Sequence, residues 1–161
     1  MTTSTHETEI VADPDLPTIR ISREFDAPPA KVFRAFTDKE LFAKWVGPRS
    51  IDTRIERWDA TTGGHYRYAA SRDGQEIATF YGSFHEVRPN ERIVQTFTWE
   101  GEPDGVALET MTMIDLGDGR TRIETVSIVD TMEARDAIMV SGMDVGVNEG
   151  YEKLDELLAA S

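Results

Sequence analysis

Turn residues punctuate the middle of this chain at intervals of roughly 10–15 residues, and that spacing sets what it can fold into. Thr62-Gly63-Gly64, Arg72-Asp73-Gly74-Gln75, Pro89-Asn90, Glu102-Pro103-Asp104-Gly105 and Gly117-Asp118-Gly119 are the breaks. Between them runs an alternation with period two, which is the mark of a half-buried strand. Ile51, Thr53 and Ile55 begin it, and Tyr66 and Tyr68 follow. Phe80, Gly82 and Phe84 come next, then a Thr-, Phe- and Trp-rich run from Val94 to Trp99. Leu108 to Leu116 faces Arg120 to Val129 across the last turn. Short strands joined by tight turns pair with their neighbours in sequence, so Arg49 to Asp130 is predicted to be an antiparallel meander.

The flanks have a different period. Met1 to Pro17 is polar, acidic and broken by Pro14 and Pro17, and reads as a flexible tail preceding a domain at 18–161. From Thr18, Ile19, Ile21, Arg23 and Phe25 alternate as a first strand. Pro28-Pro29 suits a helix start, where a missing N–H costs nothing, and Val32, Phe33 and Phe36 follow at helical spacing. Asp38 is placed to cap a second short helix carrying Leu41, Phe42 and Trp45, which Gly47-Pro48 ends. Asp130 and Glu133 look like a capping box opening a long last helix. Its apolar stripe is Met139, Met143, Val147, Tyr151, Leu154 and Leu158. Gly142, Gly146 and Gly150 run beside that stripe. A helix-interior glycine costs about 1 kcal/mol relative to Ala, so three of them imply a close approach or a space kept open.

The predicted fold is α+β: a curved antiparallel sheet of about six to seven strands, wrapped around one long C-terminal helix, with two short helices after the first strand. A continuous helix of about 40 Å, at 1.5 Å per residue, covers the concave face. A straight helix and a twisted sheet do not mate along their whole length, so an apolar cavity is expected between them.

Composition removes several functions. The 161 residues contain no cysteine, which excludes disulfides, thiolate metal sites and a cysteine nucleophile. The formal charge of -13 repels phosphate backbones and anionic membranes, so no nucleic-acid or membrane partner is expected. The opening Met1-Thr2-Thr3-Ser4-Thr5-His6-Glu7 has neither the basic nor the apolar stretch of a signal peptide, and the expected location is cytoplasmic.

Several segments together resemble a known family. Ile21 to Pro28 with Val32 to Thr37, the short helix Leu41 to Pro48, Gly63-Gly64, and Gly82 to Val87 followed by Pro89 and Glu91 to Val94 are similar to stretches of one group of bacterial proteins. So is the closing helix, with Ser141-Gly142-Met143, Gly146, Tyr151, Leu154 and Leu157-Leu158. These proteins are homologous to the C-terminal domain of the activator of Hsp90 ATPase, within the START-like helix-grip superfamily. The resemblance spans roughly Thr18 to Ala160. Two departures are Trp45-Val46, where the family often has paired Trp, and Trp58, where a polar residue is expected. The resemblance implies the helix-grip (START/Bet v 1-like) fold. It implies function weakly, since this superfamily holds ligand carriers, cyclases and chaperone partners.

Residue chemistry therefore has to choose. Ser83 and His85 share a strand face, but Glu86 points the other way, so no triad is expected there. His65 and His85 are too few for a metal site, and Gly63-Gly64 precedes a strand rather than a helix N-terminus, so no metal, cofactor or phosphate site is expected. The expectation is a non-catalytic domain that binds a small hydrophobic or aromatic ligand. The expected lining is Phe36, Trp45, Tyr66, Phe80, Phe84, Phe97, Trp99, Met111, Met113, Met143, Gly146, Val147 and Tyr151. The first alternative is a cyclase- or dehydratase-type enzyme in the same cavity, with Tyr66, His85, Glu109 or Glu124 as acid–base group. The second is a chaperone-associated module. A homodimer and a chaperone partner are compatible with the sequence, though no residue points to either.

Overall fold

The computed structural model describes residues 6–160. The chain runs β1 (Glu9–Ala12), β2 (Thr18–Phe25), α1 (Pro29–Thr37), α2 (Lys39–Trp45) and β3 (Asp52–Trp58), then β4 (His65–Arg72) and β5 (Gln75–Arg88). It continues through β6 (Arg92–Trp99), β7 (Ala107–Gly117), β8 (Arg120–Ile128), α3 (Met132–Met139) and α4 (Met143–Ala160). All eight strands form one antiparallel sheet in the order β1-β2-β8-β7-β6-β5-β4-β3. The meander from β3 to β8 is thus the predicted one, and β2 returns to pair with β8. Register shifts at Ile55/Arg57, Ala70/Ser71, Phe84/Glu86 and Asp115/Gly117 bend the strands, as extra residues in a ladder do.

One face of this curved sheet is apolar because side chains alternate along each strand. Ile19, Ile21 and Phe25 of β2, Ile123 of β8, Met111 and Met113 of β7, Ile93 of β6, Phe84 of β5 and Tyr66 and Tyr68 of β4 are all buried. The helices close over that face. Trp45, Tyr151, Leu154 and Leu158 join the same core. Asp38 caps α2 as expected, accepting the Leu41 N–H at 3.1 Å, and the buried Trp45 indole donates to the Ala35 carbonyl at 2.9 Å.

Three expectations are corrected. First, the segment read as a tail is part of the sheet from Glu9 onward, since β1 pairs with β2 through Glu9↔Ser22 to Ala12↔Ile19. Its overall composition misleads because the apolar run Ile10-Val11-Ala12 is short; Ile10 packs against the core and backbone bonds make the rest of the link. The buried Arg135 guanidinium donates to the carbonyls of Asp13, Leu16 and Thr18 at 2.8–3.0 Å, and Val129 N–H donates to Pro17. Met1 to Thr5 of that reading lie outside the described residues.

Second, the last helix is two. Thr131, rather than Asp130, caps α3 by accepting the Ala134 N–H at 3.1 Å. Val140 ends α3, and Gly142 stands at φ +90°, a left-handed conformation that a side-chain-bearing residue would resist. Only the 18 residues of α4 remain as the gripping helix, so its length is about 27 Å at 1.5 Å per residue.

Third, the glycine line turns toward α2 rather than the sheet. A side chain at Gly150 would meet the Trp45 carbonyl at 3.1 Å, and one at Gly146 would reach only Pro48, at 3.5 Å. Gly150 is therefore a close-approach glycine, while Gly146 has room beside it and touches only Pro48.

Two outcomes follow for stability. Arg135→Met should cost about 2–4 kcal/mol, because buried carbonyls lose charged donors. Denaturant titration checks this, and an unchanged midpoint would show that the N-terminal segment is not held there. By the same measurement Gly150→Leu should cost several kcal/mol by overpacking, whereas Gly146→Ala should stay within about 1 kcal/mol of the parent.

Candidate functional site

The cover over the inner face is incomplete at one end. Phe80 and Phe97 point inward and stack with ring centroids 5.2 Å apart, yet both keep partial exposure. Ile138, Met139, Met143 and Val147 of α3 and α4 pack against the same core and are also partly exposed, while Tyr151, one turn further along the same stripe, is buried. Burial is thus deep at the Tyr151–Leu158 end of α4 and partial at the α3–α4 corner.

A polar row crosses the sheet within this region. Register places Ser127 of β8 opposite Glu109 of β7, and Glu109 opposite Gln95 of β6. The three side chains share the inner face with Met111, Phe97 and Ile123, and each keeps partial exposure although its strand is paired on both sides. Gln95 Nε2 donates to Glu109 Oε1 at 3.4 Å and to the Tyr66 hydroxyl at 3.3 Å. The Tyr66 hydroxyl in turn donates to the Thr96 carbonyl at 2.6 Å. It reaches that carbonyl over Gly82, where a Cβ would collide with the hydroxyl.

Burial pushes the Glu109 carboxyl up to about 7, against the opposing effect of donors from Ser127 and Gln95. No cationic side chain pairs with it among the described residues. The inward Arg23 of β2 donates from both terminal nitrogens to Asp155 of α4, at 2.9 and 2.6 Å. Burial first, and then the Glu109 charge, raise the Tyr66, Tyr68 and Tyr151 hydroxyls, so all three keep their protons.

Most of the expected lining comes together. Trp45, Tyr66, Phe84, Met111, Met113 and Tyr151 are buried in one cluster, with Phe36, Phe80, Phe97, Met143 and Val147 packed against it. Trp99 does not join. It sits at the end of β6, 48% exposed, with its ring over Gly101. Gly146 lies beside Pro48, on the side of α4 that faces α2. Of the acid–base candidates, Tyr66 and Glu109 lie on the inner face of the sheet. His85 and Glu124 are exposed, and Glu124 lies 3.7 Å from Arg122. Ser83 is exposed too, and Glu86 pairs with Arg88 and Arg92.

Gln95, Ser127 and Trp58 were not among the expected lining. Trp58, one of the two departures from the family pattern, packs on Phe42, Tyr66 and Phe84 and donates its indole N–H to the Thr37 carbonyl at 2.7 Å. It closes the inner face beneath α1 and α2. Parity would have found the other two, since Gln95 shares a face with Phe97 and Ser127 with Ile123. A separate depression of about 390 Å³ lies on the outer face, around His65, Arg67, Ser83 and Thr96.

The raised carboxyl pKa has a signed consequence. Glu109 binds its proton more tightly folded than unfolded, so its contribution is neutral below about pH 4.5 and becomes destabilising as pH rises through 7. Glu109→Gln should therefore stabilise the protein by roughly 1–3 kcal/mol at pH 8 and by little near pH 4.5. Denaturant midpoints at the two pH values measure it, and an equal effect at both would contradict a strained carboxylate.

Comparison with known proteins agrees with this fold. The sequence matches the family described as Activator of Hsp90 ATPase homolog 1-like protein over residues 26–159. Among curated proteins, none matches the chain. A crystal structure from Rhodobacter sphaeroides superposes with TM-score 0.87 at 24% identity, covering 96% of this chain and 100% of its own. One from Mycobacterium smegmatis gives 0.84 at 24%, covering 96% and 98%. A Chromobacterium violaceum protein is 31% identical, with TM-score 0.77 and coverage of 88% and 96%. No helix among the described residues is long and apolar enough to cross a membrane. The two neighbours at 24% identity share the fold, and the family match over most of the length carries the assignment: this chain belongs to the Activator of Hsp90 ATPase homolog 1-like family.

Proposed function

We propose that the domain binds a small apolar or aromatic molecule between the inner faces of β4–β8 and the α3–α4 corner. The observation that carries this reading is the partly exposed, stacked Phe80–Phe97 pair on a face that is otherwise closed by helices. Apolar surface left accessible there gains about 25 cal/mol for each Å² that a ligand covers. The Met139 and Met143 side chains opposite are unbranched and adjust to ligands of different outline. The acidic surface keeps nucleic acids and anionic membranes away from such a site, consistent with a cytoplasmic small-molecule binder.

Catalysis ranks second. Glu109 has the pKa of a working acid or base at neutral pH. A cyclase or dehydratase would need a second proton-transfer group, and the one nearby, Tyr66, spends its proton on the Thr96 carbonyl. A chaperone-associated role ranks third, since it draws only on the family's name.

Titration with the uncharged fluorescent probe N-phenylnaphthylamine should saturate at one site per chain. Val147→Trp fills the gap from the helix side. It should weaken the probe by at least about tenfold, or 1.4 kcal/mol, with little change in melting. Parent-like affinity in a folded Val147→Trp protein would remove the site from this corner.

A further inference from the structure

Resting on the reading of that chamber as a ligand site, we infer that its ligand is an amine: an apolar or aromatic body carrying one cationic group that meets the Glu109 carboxylate. The hydrogen bonds to Glu109 come from neutral groups, the Gln95 amide and Ser127. Thr125 of β8, two residues from Ser127 on the same face, adds only a neutral hydroxyl, and the remaining inward neighbours are apolar or already committed. Met111 and Phe97 offer no polar hydrogen, and the Tyr66 proton goes to Thr96.

Charged and titratable groups facing it from the packed elements are few. Tyr66 and Tyr68 face it from β4 and Tyr151 from α4, all holding their protons. Arg23 of β2 is tied to Asp155 of α4 by two bonds, and α3 presents Ile138 and Met139 toward the core. A carboxylate whose donors are all neutral has no counter-charge, and desolvating it without a cation is costly. A ligand ammonium removes that cost, whereas a ligand carboxylate adds a second buried anion. The field of a chain with net charge -13 acts in the same direction, drawing cations and repelling anions.

The outcome is a selectivity that belongs to one side chain. Methylnaphthalene, naphthylmethylamine and naphthoate share a ring and differ at one substituent, so competition of each against bound N-phenylnaphthylamine reads that selectivity. At pH 8 the amine should compete at least about tenfold better than methylnaphthalene, as a hydrogen bond to a charged group allows, and naphthoate should be the weakest. In Glu109→Gln the ratio of amine to methylnaphthalene should fall to near one. The amine stays protonated well above neutrality, so in the wild-type protein the ratio should also collapse as pH falls below about 7, where Glu109 takes up its proton. That wild-type pH profile decides the matter by itself if Glu109→Gln folds poorly.

Equal affinities, a preference for naphthoate, or an amine preference that survives Glu109→Gln through surface charge alone would overturn the amine reading while leaving apolar binding intact. Failure of N-phenylnaphthylamine itself to bind would overturn the chamber as a ligand site, and the amine reading with it.

Discussion

Everything in this fold depends on covering the apolar face of a sheet too curved for one straight helix. Eight antiparallel strands with four register shifts bend around their own inner side chains. A single rod would touch such a surface along a line. The chain answers with two short helices at one end and a corner at the other. α1 and α2 bring Val32, Ala35 and Trp45 onto the Tyr151–Leu158 end, where the core is closed. At the far end Gly142 lets the chain turn between α3 and α4, and Phe80, Phe97 and Glu109 keep partial exposure. The break shortens the gripping helix to the 18 residues of α4.

Two buried arginines hold this arrangement in register. Arg23, 2% exposed, joins β2 to α4 through Asp155, donates to the Glu24 carbonyl at 2.7 Å and lies over the Phe25 ring at 4.8 Å. Arg135, 4% exposed, joins α3 to the loop between β1 and β2 through three carbonyls. Net energy from buried ion pairs is small because desolvation offsets the attraction. Geometry is their larger contribution: each guanidinium has fixed donor directions, so each fixes a helix relative to a strand. With both ends of the helical pair so fixed, the α3–α4 corner cannot settle onto the sheet without breaking one of them.

Strand alternation made much of this legible in the sequence. Ile19, Ile21, Arg23 and Phe25 share one face in the structure as in the pattern, and turn residues located the β4–β5 and β7–β8 hairpins. What escaped is contact made by backbone or by a very short run. β1 is only four residues, Glu9–Ala12, set in a polar, proline-broken stretch; it is held by ladder bonds to β2 and by Ile10 against the core, and so short an apolar run leaves little mark in composition. Gly142, Gly146 and Gly150 fall on one line of an ideal helix, yet the first breaks the helix and the third is shaped by the Trp45 carbonyl on another element. Periodicity cannot tell a glycine that ends a helix from one that lets a neighbour in. Trp99 shares parity with Phe97, but parity loses its meaning at a strand end, where the ring folds over Gly101 instead.

Glu109 shows where local consistency ends and selection for something else begins. A Leu or Met at that position would continue Met111 and Met113 and extend the core by another turn of the strand. An ionisable side chain there raises the free energy of the folded state above neutral pH, and its two neutral donors only soften that effect. Sequences that fold well agree across levels, and departures concentrate where function requires them. Gln95 and Ser127 depart in the same way, on adjacent strands and at the same level of the sheet. Three polar residues in one cross-strand row, beneath the one part of the helical cover that stands open, are hard to account for by packing. A molecule that fills the opening and brings its own proton donor accounts for all three.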